Sequence, residues 1–480
     1  MSLFAVKPLD LILADAEHAS LKRSLTASQL VALGIGAIIG AGLFSLTGLA
    51  AAQNAGPAVV ISFALAAVGC AFAGLCYSEF ATMIPIAGSA YTYSYATMGE
   101  LMAWIIGWDL VLEYAVGAST VAVSWSGYVV SFLKDFGIDF PAQLAASPWE
   151  PVTLPGSTVV LQGIINLPAV FIILLVSGVL IIGIQESARV NSVIVALKIS
   201  VAILFIILGW SYINQGNYTP FVPANTGEFG HFGWSGVLRG AGKVFFAFIG
   251  FDAVSTAAQE AKKPQRDMPI GIVGSLAVCT VLYIVFSHVL TGIVSYKDLN
   301  VAAPVAVAID RTAYTWLRPA VKFAIILGFT SVILVMLLGQ SRVFFSMARD
   351  RLLPKVFSDI HPKFRTPWRS NLLFMVFTGL FAAFAPLSAL GDMTSIGTLF
   401  AFVLVCIGIM VMRRTHPERP RPFRTPWVPL TPILGIAFNL FLMYGLGLSN
   451  WIRLFAWMAI GLIVYFNYSR KHSVTANARE

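Results

Sequence analysis

The chain has 480 residues, of which 58% are hydrophobic and only 11% are charged, and its mean hydropathy is +0.82. A soluble domain devotes about a quarter of its residues to charge, so this composition excludes a soluble enzyme, a nucleic-acid-binding protein and a disordered chain. The net charge of +9 does not change this conclusion, because the basic residues cluster in short stretches between apolar segments, as cytoplasmic loops do.

Long apolar runs predict an all-α membrane protein with twelve transmembrane helices. A helix needs about 20 apolar residues to cross a bilayer, and uninterrupted runs of that length exclude a barrel of short alternating strands. We number the predicted spans helix 1 to helix 12 in chain order: 28–50, 57–80, 101–130, 159–184, 191–213, 236–259, 271–294, 320–347, 371–388, 395–412, 428–449 and 451–468.

Predicted helix 1 contains an unusual glycine cluster. The stretch GIGAIIGAGLF runs from Gly34 to Phe44 and holds four glycines, with Gly40 and Gly42 near the middle of the span. Each glycine weakens an interior helical turn by about 1 kcal/mol relative to alanine. Such a cluster indicates either close packing between helices or a break in the helix, and this stretch alone does not decide between them.

Predicted helix 3 carries two acidic residues inside the membrane. Asp109 and Glu113 lie four residues apart in GWDLVLEY, hence on one face of the helix. Ionisable residues at this depth are costly and usually face a partner or a cavity. Glu113 lies deeper in the span and is our candidate for a coupling carboxylate, whereas a structural role for Asp109 stays open.

Predicted helix 5 contains Lys198 among apolar residues for many positions on either side. An ammonium at this depth costs at least ~2.5–3.5 kcal/mol, and desolvation favours its neutral form. Lys198 is therefore a candidate proton carrier, with Glu113 as the carboxylate that communicates with it. The alternative is a static ion pair.

Predicted helix 6 repeats the pattern of helix 1, with Gly250 and Asp252 near the middle of KVFFAFIGFDAVSTAAQE. Helices 1 and 6 are five apart, as expected for two inverted copies of a five-helix unit. Glycine-interrupted segments at corresponding places in two halves indicate a transporter binding site. Unwound helix ends expose N–H groups that suit a carboxylate and C=O groups that suit an ammonium, so the pattern favours a small zwitterion such as an amino acid.

Three motifs resemble the amino acid–polyamine–organocation superfamily, and within it the cationic amino acid transporter family of bacterial type. They are GIGAIIGAGLF in helix 1, FFAFIGFDAVSTAAQEAKKPQRDMPIGI from Phe245 to Ile272, and GQSRVFFSMARDRLLPK from Gly339 to Lys355. The resemblance implies a five-plus-five inverted repeat of the leucine-transporter type with discontinuous helices 1 and 6. It also implies alternating access.

The resemblance also implies a binding site at the two breaks. Backbone groups of helix 1 would meet the substrate carboxylate; these are at Ile38, Ile39, Gly40, Ala41 and Gly42. Residues of helix 6 would provide carbonyls for the ammonium and one aromatic gate; these are Phe246, Ala247 and Ile249 for the carbonyls and Phe251 for the gate. The Ala, Ile and Phe lining favours a small or apolar substrate side chain, although cationic substrates stay open.

The resemblance places Lys198 where sodium-coupled relatives hold an ion between helices 1, 5 and 8. We therefore expect a secondary active amino acid transporter that works by proton symport, with exchange or sodium symport as alternatives. The expected partners are an L-amino acid, a proton and the lipid bilayer, with no nucleic acid, metal or cofactor. A small membrane subunit is left open.

The expected organisation follows from these assignments. Residues 1–26 form a cytoplasmic segment, 27–413 the transport core of helices 1 to 10, 414–468 helices 11 and 12, and 469–480 a cytoplasmic tail. Most Lys and Arg residues then fall on the side of the termini, which predicts a plasma (inner) membrane protein with both termini in the cytoplasm. An enzyme is not expected, because the scattered histidines form no catalytic or metal-binding set.

Overall fold

The computed structural model describes residues 6–7, 25–84, 89–153, 160–183 and 188–474. Most of the expected segment 1–26 and the end of the expected tail 469–480 lie outside these residues. Nearly all regular structure is helical; the α-helices, labelled α1 to α18 in order, are Ala27–Ile38, Thr47–Ala50, Val59–Met83, Ser89–Thr97, Glu100–Val111, Gly117–Asp135, Leu167–Ile182, Ala188–Gly209, Gly233–Val244, Ala253–Thr256, Pro264–Ile293, Pro304–Asp310, Leu317–Arg349, Trp368–Phe384, Leu387–Thr415, Leu430–Gly445, Leu448–Val464 and Arg470–His472.

The chain is an integral membrane protein. By length and composition, seven helical stretches of the described chain can cross a membrane; they are Gly42–Met83, Glu100–Asp135, Ser192–Tyr212, Pro264–Ile293, Leu317–Arg349, Leu387–Thr415 and Leu448–His472. Shorter apolar helices accompany them at Ala27–Ile38, Leu167–Ile182, Trp368–Phe384 and Leu430–Gly445. The count of twelve spans and the inverted repeat stay predictions.

Predicted helix 1 is interrupted in the structure. The helix α1 ends at Ile38, Ile39 is extended with φ −71° and ψ 108°, and the chain resumes as a π-helical turn over Gly42–Leu46. It continues through α2 and a second π-helical turn over Ala51–Ala55. Glycines lie on both sides of the break, and apart from proline no residue has a lower helix propensity than glycine. This composition explains why the helix is interrupted here.

Predicted helix 6 is also interrupted. The helix α9 ends at Val244 and tightens into a 3₁₀ turn over Phe245–Phe248, after which Ile249 is extended with ψ 133°. Gly250 follows with φ +116°, and the short helix α10 begins only at Ala253. Hydrogen bonding of the i to i+4 type therefore does not run through either span.

The two broken helices lie between long continuous helices. The helix α11 packs against both α1 and α3, α9 packs against α3, and α8 packs against α1, α11 and α13. The 3₁₀ turn of helix 6 packs on the first π-helical turn of helix 1, so the two breaks face each other. This contact positions the candidate site at the centre of the helix assembly.

Both described ends of the chain lie on one side of the protein, here called the termini face. Lys7 forms an ion pair with Asp350 at the end of α13 (Nζ–Oδ1 3.1 Å), and the N–H of Val474 donates to the Asp350 carbonyl. The Tyr91 hydroxyl donates to Asp350 Oδ2 at 2.8 Å. Burial and then the Asp350 charge raise the pKa of Tyr91 well above its usual value, which keeps this donor protonated.

Strand structure is limited to one short ribbon among the described residues. Strands β1 (Pro151–Thr153) and β2 (Val160–Gln162) pair antiparallel, with Val152 opposite Leu161. The ribbon lies between α6 and α7, in a connection outside the helix assembly. It qualifies the expected all-α fold without changing the position of the site.

Candidate functional site

The break in helix 1 presents backbone donors. Gly40, Ala41 and Gly42 stand at the start of its second helical stretch, where the first N–H groups of a helix have no carbonyl of a preceding turn to bond. The Gly40 carbonyl accepts from the N–H groups of Leu43 and Phe44, both at 3.2 Å. A helix start of this kind binds anions, because its N–H groups and its dipole both favour negative charge.

The two glycines of this break have different surroundings. A Cβ atom added to Gly42 would lie 2.2 Å from the Cα of Ala247 in helix 6. A Cβ atom on Gly40 would meet only Val332, at an ordinary contact distance of 3.5 Å. Gly42 therefore permits the two breaks to touch, whereas the described protein atoms leave room at Gly40.

The break in helix 6 depends on Gly250. Its φ of +116° is a conformation that residues with a side chain rarely adopt. A Cβ atom at this position would also lie 2.8 Å from the carbonyl oxygen of Ala37 in α1. Backbone conformation and close approach to α1 thus both require glycine.

Tyr283 of α11 joins the two breaks. Its hydroxyl lies 3.0 Å from the carbonyl oxygen of Ile38 and 3.0 Å from that of Ala247. A hydroxyl carries one proton and donates to one carbonyl at a time. The carbonyl that does not receive this proton can accept a hydrogen bond from an ammonium instead.

Lys198 of α8 binds the end of α1. Its Nζ donates to the carbonyl oxygen of Gly36 at 2.7 Å and to that of Ile39 at 3.2 Å, and the side chain is 2% exposed. The carbonyls at a helix end carry partial negative charge, so they stabilise a buried cation. The lysine thus occupies the carbonyl end of α1, beside the break.

A glycine of α13 makes space for this lysine. A Cβ atom on Gly328 would lie 2.7 Å from both Cγ and Cδ of Lys198. Lys198 therefore lies between α1, α8 and α13, the helices that correspond to predicted helices 1, 5 and 8.

Glu113 lies in a π-helical turn, Leu112–Val116, that separates α5 from α6. Its carboxyl group lies close enough to those of Asp252 and Asp109 for electrostatic interaction, and it also lies near Thr398 of α15. Glu113 and Asp252 are 2% and 1% exposed. Two buried carboxylates at such a separation repel each other, so a proton on either one stabilises the pair.

The contacts of Lys198 and Glu113 described above lead to different parts of the site. The hydrogen bonds of Lys198 lead to α1, and the contact of Glu113 leads to the break in helix 6 through Asp252. Asp109 is 1% exposed and both of its carboxylate oxygens lack a hydrogen-bond partner among the described residues. Direct communication between Lys198 and Glu113 stays a prediction.

The aromatic residues of helix 6 are buried. Phe251 is fully buried and contacts Tyr77 at a ring-centroid distance of 5.7 Å and Phe402 at 5.0 Å. Phe246 is 4% exposed and lies in the 3₁₀ turn beside Ala247. Phe251 thus packs on the side of the break that faces α3 and α15, and its role as a gate stays a prediction.

Sequence reasoning missed Tyr283 and Gly328. Each lies within a continuous apolar helix, where one tyrosine or one glycine is unremarkable. Only the pairing of α11 with α1, and of α13 with α8, gives them a partner in the site. No local sequence signal could have singled them out.

Comparison with known proteins identifies the family of the chain. Residues 25–468 match the family model described as amino acid permease. The chain belongs to the amino acid permease family. The permease is 46% identical to the branched-chain amino acid permease BcaP of Bacillus subtilis (strain 168), over 98% of each chain.

Two further relatives show the breadth of the family. The permease is 45% identical to the methylthioribose transporter of the same bacterium, over 98% of this chain and 99% of that one. It is 36% identical to the human cationic amino acid transporter 4, over 87% of this chain and 64% of that one. The family and these relatives make the permease a transporter rather than an enzyme.

Proposed function

We propose that the permease imports an apolar L-amino acid together with a proton, by alternating access around the two helix breaks. The observation that carries the proposal is the position of Lys198, whose ammonium binds the carbonyl end of α1 next to the break. A titratable cation here can couple the state of helix 1 to protonation. A bound sodium ion carries no proton, so it would not couple helix 1 to a proton gradient in this way.

The breaks provide complementary groups for a zwitterion. The N–H groups of Gly40, Ala41 and Gly42 suit the carboxylate. The carbonyl of Ala247, which shares Tyr283 with Ile38, suits the ammonium. The carbonyls of Phe246 and Ile249 are further candidates, although that of Phe246 already accepts from the Ile249 N–H at 3.2 Å.

An apolar substrate side chain is the preferred assignment. Ile38, Ile39, Phe246 and Ile249 bring apolar side chains to the breaks, and all four are buried. The buried acids Glu113 and Asp252 lie close to each other, which favours a proton between them over a salt bridge to a cationic substrate. The name of one relative, the branched-chain amino acid permease BcaP, supports leucine, isoleucine and valine as candidates.

Two proton sites take part in the proposed cycle. Protonated Lys198 holds the end of α1 by charge-assisted hydrogen bonds. When α8 and α1 separate on the cytoplasmic side, water reaches the ammonium and allows proton release. A second proton between Glu113 and Asp252 would connect helix 3 to the break in helix 6, so substrate at that break would favour one protonation state.

The proposed location is the plasma (inner) membrane, with the termini face in the cytoplasm. The ion pair of Lys7 with Asp350 and the bond from Val474 to the same residue support a common side for both ends. The proposal needs an amino acid, a proton and the bilayer, and no cofactor.

Uptake into liposomes tests the proposal. Purified permease is reconstituted, and uptake of labelled leucine, alanine, arginine and methylthioribose is measured with proton and sodium gradients imposed separately. We expect leucine uptake driven by an inward proton gradient without sodium. A strict sodium requirement would establish sodium symport, and uptake only into liposomes preloaded with amino acid would establish exchange.

Substitution of Lys198 tests the coupling site. Lys198→Ala should abolish uptake driven by a proton gradient while leucine binding in a thermal-shift assay is retained. Lys134→Ala, at the end of α6, is the matched control and should transport like the parent. Undiminished proton-driven uptake by Lys198→Ala would reduce Lys198 to a structural cation.

A further inference from the structure

Lys243 is a buried cation that the proposed site does not use. It lies in α9, one helical turn before Ala247, and is 3% exposed. Its Nζ donates to the side-chain oxygen of Gln53 at 2.8 Å. A buried ammonium needs strong partners, and here the hydrogen-bond acceptor is a neutral amide.

Gln53 extends this contact across the far face, the side of the protein opposite the termini face. Its amide nitrogen donates to the side-chain oxygen of Asn300 at 2.8 Å. The resulting chain of Lys243, Gln53 and Asn300 ties the far half of helix 6 to the far half of helix 1 and to the loop after α11. Both half-helices run from the breaks towards the far face, so an opening on that side would separate one from the other.

Asp392 of α15 offers Lys243 a different partner. It is 5% exposed, and its Oδ2 accepts from the side chain of Asn450 at 3.2 Å. Its Oδ1 has no hydrogen-bond partner within the part of the chain that the structure describes. The helices α9 and α15 pack against each other, and the Asp392 carboxyl group lies within electrostatic range of Lys243.

We propose that Lys243 is a positioning residue with two partners, Gln53 when the far side is closed and Asp392 when it opens. The proposal rests on the alternating-access mechanism proposed above. Breaking the bond to Gln53 alone would leave a buried ammonium unpaired, which is costly. Transfer to Asp392 removes that cost, so the closed and open arrangements can have similar free energies, as a two-state transition requires.

A cysteine at position 46 reports on this movement. Leu46 is fully buried in the far half of helix 1, and a Cβ atom on Gly391 would lie 3.0 Å from its Cδ1, so it packs against α15 beside Asp392. The four native cysteines are buried. The experiment measures the rate at which a charged methanethiosulfonate labels full-length Leu46→Cys protein in detergent, with the parent protein as the background.

The two partners predict changes of opposite sign. Gln53→Leu removes the closed-state partner and should raise the labelling rate roughly tenfold, as expected for a hydrogen bond to a charged group. Asp392→Asn removes the open-state partner and should lower the rate by a similar factor. In a Lys243→Met background, neither substitution should change the rate.

The matched control is Asp298→Asn, which removes a carboxylate that is exposed and pairs with Arg311 outside this contact. It should leave the labelling rate unchanged. If Asp392→Asn does not yield folded protein, Lys243→Gln replaces it, because a glutamine keeps a donor for Gln53 but loses the attraction to Asp392. Lys243→Gln should lower the rate.

Changes of the same sign in Gln53→Leu and Asp392→Asn, or changes that persist in Lys243→Met, would overturn the proposal. Labelling in detergent needs neither a proton gradient nor a particular substrate. Opposite shifts in labelling together with failed proton-driven uptake would therefore retain the switch and reject the proposed coupling.

Discussion

The break in helix 1 and the break in helix 6 share a glycine-rich sequence, but their glycines act differently. Gly42 has no positive φ and is required for space, since the backbone of Ala247 lies against it. Gly250 is required for its φ of +116° as well as for space beside Ala37. Gly40 is required for neither in the structure as it stands.

Gly42 and Gly250 are needed for the two breaks to form and touch, whereas Gly40 leaves space beside the break. If a side chain introduced at Gly40 leaves the fold intact but prevents substrate binding, the substrate occupies the space beside Gly40. Helix 1 and helix 6 also differ in their carbonyls, because those of helix 1 bind a cation, Lys198, whereas Ala247 of helix 6 has the neutral hydroxyl of Tyr283. The predictions below test these differences, starting with the largest expected effect.

Gly250→Ala should have the largest effect, because alanine rarely adopts the backbone conformation of this position and its Cβ atom would clash with the Ala37 carbonyl oxygen. A strained φ costs of order 1–3 kcal/mol, and the clash with the Ala37 carbonyl adds to it. We expect a strongly lowered melting temperature in detergent and no leucine uptake. Gly178→Ala, where a Cβ atom meets nothing within 4 Å, is the control. Parent-like stability of Gly250→Ala would show that helix 6 can break differently.

Gly42→Ala should destabilise the protein and abolish binding, because its Cβ would meet backbone atoms that cannot move aside. Gly40→Ala should keep the melting temperature of the parent yet lose leucine binding, measured by the shift that leucine causes. Each variant adds one methyl group to the same break, at positions two residues apart. Intact binding in Gly40→Ala would move the carboxylate site away from Gly40.

Gly328→Ala should impair coupling more than folding. Its Cβ would press on the middle of the Lys198 side chain and displace the ammonium from Gly36 and Ile39. Proton-driven leucine uptake should fall strongly, with leucine binding retained. Gly379→Ala, which has open space, serves as the control. Normal uptake would mean that the lysine adapts without losing its function.

Tyr283→Phe should have the smallest effect. It removes one hydroxyl from between the Ile38 and Ala247 carbonyls and keeps the ring. A net hydrogen bond contributes about 0.5–1.5 kcal/mol, so the melting temperature should fall only slightly. The KM for leucine should rise more than kcat falls, because the carbonyls lose their alignment. A change in kcat alone would place Tyr283 in the conformational step instead.

Most of the overall class was predictable from sequence. Hydropathy identified a membrane protein, and the glycines and Asp252 indicated that helices 1 and 6 are interrupted. The structure contains both interruptions. These are local properties, since burial in lipid requires an apolar run and glycine weakens a helix wherever it stands. Lys198 was identifiable for the same reason, as a cation within an apolar helix.

The partners of these residues were decided by the tertiary structure. Hydropathy does not state which helix faces another, so the sequence could not place Gly36 and Ile39 opposite Lys198, or Asp252 opposite Glu113. It also treated Gly40 and Gly42 alike. Only the crossing of helix 1 and helix 6 distinguishes them, because one glycine faces a backbone 2.2 Å from its missing Cβ and the other faces open space beside Val332.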